Sequence, residues 1–207
     1  RGSVRDVLIA RNGGGLENLP QGAVVGTSSV RRRAQMRAAR PDVKCVNCRG
    51  NVETRLEKLS SGKVDALVLA EAGLERLGMT VSAVPLDFVT CAGQGAVAAE
   101  ALAGSGAEEI LRSLNHLPTW YEVCAEREFL SRLAFGCVCP IGVNAAYSAG
   151  KLEIVAEVHP EDGGAPERAS VSGNAGSEDE AVALAGELWN AMRDGPIVRE
   201  MAKVSVR

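Results

Sequence analysis

Short apolar runs recur between residues 23 and 78. Residues 23–25, 43–46 and 66–70 are each of strand length, and the last run is apolar at every position. An unbroken apolar run is typical of a strand that is buried on both faces of a sheet. We therefore predict three strands in this part of the chain.

Helical patterns fill the gaps between the predicted strands. Residues 30–39 follow the N-cap residues Ser28 and Ser29 and end before Pro41. Residues 52–59 follow Asn51, are apolar at i, i+4 and i+7, and lead to the helix-ending Gly62. A shorter helix is predicted over residues 73–77. Strands that alternate with helices predict a parallel α/β sheet.

Three loops follow the ends of the predicted strands. They comprise residues 27–32, 49–51 and 70–73. In a parallel sheet, ligands bind in the crevice at the carboxyl ends of the strands. Because two of the three loops carry arginines, we expect a ligand site at this edge.

Residues 119–207 show a different arrangement. A helix is predicted over residues 121–134, where apolar side chains recur on one face, and strands over residues 152–158 and 169–171. A capping box at Ser177 opens a helix that reaches Met192. The separation of strands from helices favours a small α+β domain.

Basic residues are concentrated in one stretch of an acidic chain. Eight lysines and arginines but only two acids lie between residues 26 and 55, although the net charge is −3. Arg31 and Arg32 fall in the first turn of the predicted helix, where free backbone N–H groups also favour an anion. Arg49 and Arg55 flank the next loop, and we expect all four to bind an anionic ligand. The other basic residues are expected to be a solvated surface: Arg33, Arg37, Arg40 and Lys44.

These residues alone do not distinguish a phosphate, a carboxylate or a nucleic acid as the anion. The basic segment has no aromatic residue, which argues against single-stranded nucleic acid. No apolar run has the length of a membrane span, and the first residues lack the apolar core of a signal peptide. A cytoplasmic protein is therefore expected.

Six cysteines raise the question of a metal or redox site. Cys45 and Cys48 have the two-residue spacing of a zinc knuckle or a redox pair, whereas Cys137 and Cys139 are too close for the usual zinc pattern. A zinc or redox protein built on Cys45 and Cys48 is one alternative. We predict no metal site, because buried thiols commonly act as small apolar residues.

Six strings carry a family resemblance. They are Gly26-Thr27-Ser28-Ser29-x-Arg31-Arg32, Arg49-Gly50-Asn51-Val52-x-Thr54-Arg55, Ala72-Gly73-Leu74-x-Arg76-Leu77-Gly78, Gly93-Gln94-Gly95-Ala96, Ala125-Glu126-Arg127-x-Phe129-Leu130 and Gly136-Cys137-x-x-Pro140-Ile141-Gly142. In this order they resemble hydroxymethylbilane synthase, also called porphobilinogen deaminase. The resemblance covers nearly the whole chain.

The resemblance implies a transferase of tetrapyrrole and heme biosynthesis. The family joins four porphobilinogen units into the linear tetrapyrrole hydroxymethylbilane, with release of ammonia, on a dipyrromethane cofactor bound through a cysteine. Cys137 matches that cysteine, so a covalent dipyrromethane is expected there. A thiolate is a suitable nucleophile for such an attachment near neutral pH.

The resemblance also gives the anion an identity. Porphobilinogen is a pyrrole with an acetate and a propionate, and bidentate arginines suit carboxylates. We expect neither nucleic acid nor a membrane as partner, and the family is usually monomeric. The cofactor- and substrate-binding residues that the resemblance implies are Thr27, Ser28, Ser29, Arg31, Arg32, Arg49, Gly50, Arg55, Arg76 and Gln94.

The fold implied by the family is α/β. Residues 1–92 would form a periplasmic-binding-protein-like parallel-sheet domain with a hinge at its start. Residues 93–118 would cross back toward a preceding domain, and residues 119–207 would form a small α+β C-terminal domain with the cofactor cysteine. The family's catalytic aspartate lies in the preceding domain, before Arg1. We therefore expect the 207-residue polypeptide alone to be inactive.

Three residues depart from the family's pattern. Phe135 takes a usual glycine position, Cys139 adds a thiol near Cys137, and Glu71 brings a negative charge to the expected crevice. The alternative function is an anion-binding module of periplasmic-binding-protein type without catalysis. Such a module would keep the arginine crevice and have no use for Cys137.

Overall fold

The computed structural model describes residues 1–133, 139–160 and 164–204. None of the helices in these ranges combines the length and apolarity that a membrane span requires. The elements are, in chain order, β1 (Asp6–Ala10), β2 (Val24–Gly26), α1 (Val30–Ala39), β3 (Lys44–Val46), α2 (Val52–Ser60), β4 (Ala66–Ala70), α3 (Glu71–Arg76), β5 (Val84–Leu86), α4 (Gly106–Ser113), α5 (Leu117–Arg132), β6 (Ile141–Ser148), β7 (Lys151–Val158), β8 (Glu167–Asn174), α6 (Glu178–Met192) and α7 (Pro196–Val204).

The first five strands form one sheet in the order β3-β2-β4-β1-β5. β2 lies parallel to β3 and β4, whereas β1 runs antiparallel to both β4 and β5. The parallel arrangement predicted for β2, β3 and β4 is confirmed, but the sheet as a whole is mixed. β1 joins it because an apolar segment, Val7 to Ile9, pairs with the equally apolar Leu67 to Leu69.

Alternate side chains of this sheet fill two cores, one on each face. Val7 and Leu67 belong to one core, and Leu8 and Val68 to the other, where Met36 of α1 also packs. Successive side chains of a strand point to opposite faces. Both faces are therefore covered, which explains why residues 66–70 are apolar throughout.

The last three strands form a separate antiparallel sheet in the order β6-β7-β8. Leu152 and Ile154 of β7 pack in one core with Phe129 of α5 and Leu188 of α6. The arrangement is α+β, as predicted for this part of the chain. β6 was not predicted, because its glycine, asparagine and alanines have low strand propensity.

Local capping signals place the helices correctly. Ser29 Oγ accepts a hydrogen bond from the N–H of Arg32 at 3.3 Å, and Asn51 Oδ1 accepts one from Thr54 at 2.8 Å. Ser177 Oγ accepts from the N–H of Glu180 at 3.2 Å. Each bond satisfies an N–H that the first helical turn leaves unpaired. As a result, α1 has the predicted bounds, and α6 follows directly on its predicted cap.

The C-terminal core should be most sensitive at Phe129. This side chain is fully buried, and its ring lies 6.4 Å from that of Trp189. Phe129→Ala should lower the free energy of unfolding by about 3–5 kcal/mol, because it leaves a cavity. Urea denaturation at equilibrium measures the change. The neighbouring Leu130 is 36% exposed, and Leu130→Ala should cost less than about 1 kcal/mol. Equal losses for the two variants would contradict the packing described.

Candidate functional site

The carboxyl ends of β2 and β3 bring two of the predicted loops together. Gly26 pairs with Val46 on one side and with Leu67 of β4 on the other. The N–H of Thr27 continues the ladder by donating to the carbonyl of Val46 at 3.0 Å. We call the resulting surface the arginine edge; it comprises Ser28, Ser29, Arg49, Gly50 and Arg55.

The loop after β2 is fixed by its own hydroxyls. Thr27 is 1% exposed, and its Oγ1 accepts from the N–H of Ser29 at 3.3 Å. The hydroxyl of Ser28 donates to Asn47 Oδ1 in the neighbouring loop. Thr27 therefore lies beneath the loop as a support, whereas Ser28 and Ser29 are partly exposed.

The loop after β3 presents two arginines. Gly50 has φ +122°, and a Cβ there would lie 2.9 Å from a methyl of Thr54, so the turn requires glycine. The Gly50 carbonyl accepts from Arg55 Nε at 2.8 Å, which orients that guanidinium. Within the described residues, neither Arg49 nor Arg55 has a carboxylate in ion-pair contact. Their positive charge is thus available to a ligand.

Arg31 and Arg32 have an internal partner. The Arg31 Nη1 donates to Asp6 Oδ2 at 2.7 Å, and the Arg32 Nη2 donates to Asp6 Oδ1 at 2.7 Å. Arg31 is 4% exposed and Asp6 is fully buried. Both arginines do hold a carboxylate, but it belongs to β1. The structure thus shows that Arg31 and Arg32 pair with Asp6. Contact of either arginine with a ligand stays a prediction.

The Asp6 carboxylate is held in its charged form. Burial alone would raise its pKa, but the guanidiniums of Arg31 and Arg32 bring the pKa of Asp6 below its ordinary value. Asp6 was not foreseen as a partner from the sequence. The signal was available, because a charged residue that opens an apolar strand requires a counter-charge when it is buried.

Gln94 and Arg76 lie where two chain segments cross. Gln94 Nε2 donates to the carbonyl of Val4 at 2.6 Å and to Asp6 Oδ1 at 3.0 Å. Arg76 Nη2 donates to the carbonyl of Gly95 at 2.6 Å. Gln94 therefore holds residues 4–6 to the second segment, and Arg76 ties α3 to the same crossing through Gly95. Their predicted ligand contacts are untested.

A second buried carboxylate, Glu126, joins the crossing to the C-terminal sheet. It is fully buried on α5 and accepts from Arg1 Nη2 at 2.9 Å, from the N–H of Gly93 at 2.7 Å and from the N–H of Ala145 at 2.8 Å. Burial raises the pKa of Glu126, although Arg1 opposes the change. The sequence offered a signal, since Glu126 lies three residues before Phe129 on the apolar stripe of α5.

Two charged residues outside the arginine edge have internal hydrogen bonds. Glu71, which brings a negative charge toward the expected crevice, accepts a hydrogen bond from the Ser3 hydroxyl at 2.5 Å. Arg40, expected to be solvated, donates to Asp42 Oδ1 at 2.7 Å and to the carbonyl of Leu19 at 3.1 Å. That expectation was wrong, because Arg40 fixes the turn after α1 to the segment before β2.

The cysteines separate into different environments. Cys48 is 2% exposed in the core on one face of the first sheet, and Cys45 packs against the core on the other face. In the described part of the chain, no three metal-ligating side chains cluster. Cys137 and Phe135 lie outside the described residues, so the predicted attachment at Cys137 is untested. Cys139 packs against the C-terminal core.

Two family models match the chain. The model for "Porphobilinogen deaminase, dipyromethane cofactor binding domain" matches residues 1–109, and the model for "Porphobilinogen deaminase, C-terminal domain" matches residues 120–194. The chain belongs to the porphobilinogen deaminase family.

Individual relatives agree with the family models. The porphobilinogen deaminase of Desulforudis audaxviator is 48% identical over 175 residues, which cover 82% of this chain and 57% of that protein. The one from Corynebacterium diphtheriae is 42% identical over 199 residues, 93% of this chain and 66% of that protein. For Thermus thermophilus the identity is 41% over 182 residues, with 85% and 60% coverage. The chain thus spans 57–66% of the length of these relatives.

The buried ion pair at Asp6 should dominate the stability of the first sheet. Asp6→Asn leaves Arg31 buried without a counter-charge, and we expect a loss of about 3–5 kcal/mol in the free energy of unfolding. Urea denaturation measures it. Asp42→Asn is the control; it removes the partner of the more exposed Arg40 and should lower the free energy of unfolding much less than Asp6→Asn does, because solvent screens an exposed pair.

The same pair predicts a pH dependence. The folded-state pKa of Asp6 lies below the unfolded-state value of about 4, so its stabilisation is complete above that pH. The contribution is lost as the pH falls through the folded-state pKa. The stability difference between the wild type and Asp6→Asn should therefore shrink below about pH 4. A difference that is constant from neutral pH to pH 3 would contradict the charge pairing.

Proposed function

We propose that this chain serves a transferase that joins four porphobilinogen units into hydroxymethylbilane, with release of ammonia. The observation that carries the proposal is the match of two porphobilinogen deaminase family models, in order, to residues 1–109 and 120–194. The arginine edge supports it, because Arg49 and Arg55 have no carboxylate partner of their own in the described part of the chain.

The donors of the arginine edge suit a polycarboxylate pyrrole. Each porphobilinogen ring brings an acetate and a propionate, and a dipyrromethane carries two such rings. Guanidinium groups bind carboxylates bidentately, and the hydroxyls of Ser28 and Ser29 add donors beside them. When bound, the cofactor supplies the anchored end from which the pyrrole chain grows. The sulfur of Cys137 would hold it through a thioether.

We also propose the division of the chain expected from its sequence. Residues 1–92 form a domain of periplasmic-binding-protein type, and residues 119–207 the C-terminal domain. Residues 93–118 cross toward a preceding domain; in support, Val97, Leu102 and Ile110 are 79%, 82% and 64% exposed. Because the relatives are longer, the 207-residue polypeptide by itself should not turn over porphobilinogen. We further propose that the protein is a cytoplasmic monomer and that it binds neither nucleic acid nor a membrane.

Porphobilinogen binding should depend on the arginine edge. Arg49→Gln and Arg55→Gln should each weaken binding by about tenfold or more, because each removes a charge-assisted hydrogen bond to a carboxylate. Isothermal titration calorimetry on the 207-residue chain measures the affinity. Arg33→Gln, from the same basic stretch, is the control and should bind like the wild type. Equal weakening in all three would mean that only net charge matters.

Cofactor attachment should be visible in the intact mass. The chain produced in cells that make tetrapyrroles should carry additional mass and react with an aldehyde reagent for pyrroles. Cys137→Ser should lose both signals, and Cys139→Ser, two residues away, should retain them.

The proposed inactivity of the 207-residue chain has its own test. Turnover of porphobilinogen by the isolated chain at an enzymatic rate would contradict it.

The same measurements separate the alternative function. An anion-binding module of periplasmic-binding-protein type would show the arginine dependence without any added mass at Cys137. If mass is added at Cys137 but porphobilinogen binding does not depend on Arg49 or Arg55, the carboxylates of the ligand bind outside the arginine edge.

A further inference from the structure

The C-terminal sheet meets the first sheet close to the backbone carbonyl of Val89. This residue follows β5 and is 5% exposed. Its carbonyl accepts hydrogen bonds from Gln35 Nε2 at 2.9 Å and from Arg31 Nη1 at 3.1 Å. A carbonyl oxygen has two lone pairs, so side chains of α1 use both of them. The segment after β5 is therefore fixed to α1.

The strand β6 comes very close to the same carbonyl. A Cβ at Gly142 would lie 2.3 Å from the Val89 oxygen and 2.8 Å from the carbonyl carbon. Unbonded atoms do not approach so closely, so position 142 requires glycine where the two backbones meet. The next residue, Val143, donates its N–H to the carbonyl of Thr90 at 2.8 Å. Residues 89 and 90 thus hold β6 by backbone contact.

Gln35 extends this contact to β7. It is 2% exposed; its Oε1 accepts from Arg31 Nη1 at 2.8 Å, and its Nε2 donates to Glu157 Oε1 at 3.4 Å as well as to Val89. A guanidinium only donates and a carboxylate only accepts, so a bridge between them requires a group that does both. The amide of Gln35 is such a group, whereas an acidic or a basic side chain is not.

Glu157 is the buried carboxylate on the C-terminal side. It is 8% exposed, shares a hydrogen bond with His159 Nε2, and accepts from Arg168 Nη1 at 3.3 Å. Burial alone would raise the pKa of Glu157, but the hydrogen bonds from His159 and Gln35 and the charge of Arg168 bring it below its ordinary value. The carboxylate is therefore charged at neutral pH, and it is costly to remove a donor from it.

We propose that the contacts around the Val89 carbonyl make the first sheet and the C-terminal sheet unfold as one cooperative unit. Gly142 permits the close backbone approach, and Gln35 joins Arg31 to Glu157 across it. If the sheets separated, these buried polar groups would lose their partners, which makes separation unfavourable. We call the five residues the Val89 contact: Arg31, Gln35, Val89, Gly142 and Glu157.

The Val89 contact has a consequence for the proposed cofactor site. Cys137 precedes Gly142 by five positions, so docking of β6 limits how far the cysteine segment can move from α1. This consequence rests on the proposed function, because it assumes a cofactor on Cys137. The docking itself does not depend on that assumption.

The tryptophans provide a probe for one part of the chain. Both of them, Trp120 and Trp189, lie on helices that follow residue 116, namely α5 and α6. Their fluorescence reports unfolding of the C-terminal part, whereas far-UV circular dichroism reports the helices of both parts. In urea, the two signals should give the same midpoint for the wild type, as expected for a two-state unit. Different midpoints for the wild type would overturn the proposal.

Gly142→Ala is the steric test. It should separate the two midpoints by about 0.5 M urea or more, because the added methyl forces β6 away from the Val89 carbonyl. Gly176→Ala is the matched control, because the atom nearest to a Cβ there is Glu180 Oε2, at 3.5 Å. Its two midpoints should coincide. Coincident midpoints in Gly142→Ala as well would contradict the proposal.

Gln35→Met tests the polar bridge, since it keeps an unbranched side chain of similar length and removes the amide. The two midpoints should again separate. Arg168→Gln is the control; it removes a half-exposed donor to Glu157 that lies within the C-terminal sheet, and its midpoints should coincide. Equal separation in both variants would mean that any donor to Glu157 has this effect, which would overturn the role of the bridge.

Native-state hydrogen exchange tests the proposal without a variant. Backbone N–H groups of β4 and β7 should exchange with the same free energy of opening and the same dependence on urea, because both open only when the whole unit unfolds. Opening of one strand while the other stays protected would overturn the proposal. None of these measurements involves porphobilinogen, so the docking and the transferase function can fail independently.

Discussion

The structure depends on one buried carboxylate, Asp6. A buried charge is tolerated only with close counter-charges and satisfied hydrogen bonds. Arg31 and Arg32 supply both, and Arg31 also donates to the carbonyl of Val89 at 3.1 Å. The network therefore links β1, the first turn of α1 and the segment after β5. It also accounts for two arginines at a helix N-terminus, where they oppose the helix dipole.

Glu126 plays the corresponding role for the C-terminal sheet. It ties Arg1 and Gly93 to α5 and β6 by accepting hydrogen bonds from Arg1, Gly93 and Ala145. Gly95 lies at the same crossing with φ +80°, and a Cβ there would meet the Ser3 carbonyl at 2.6 Å. The two segments that connect the sheets are thus held by a few polar contacts and a close backbone approach.

The basic stretch divides according to burial. Arg31, Arg32 and Arg40 have internal partners, whereas Arg49 and Arg55 have none among the carboxylates of the described residues. The arginines after β2 therefore stabilise the fold, whereas Arg49 and Arg55, after β3, are available to a ligand. Arg49 and Arg55 thus offer positive charge that no carboxylate of the described residues pairs with.

The sequence by itself determined the local elements: caps at Ser29, Asn51 and Ser177 begin helices, and apolar residues 66–70 form the central strand. It also indicated the family and the loops that form the arginine edge. Only the tertiary structure decided that the first sheet is mixed, and that Asp6 and Glu126 neutralise arginines far away in the chain. The physical reason is that caps and periodicity depend on neighbours within a few residues. Strand direction and charge pairing depend on contacts such as Arg1 with Glu126, which are separated by 125 positions. A local pattern can show that a buried carboxylate needs a counter-charge, but it does not show which distant arginine supplies it.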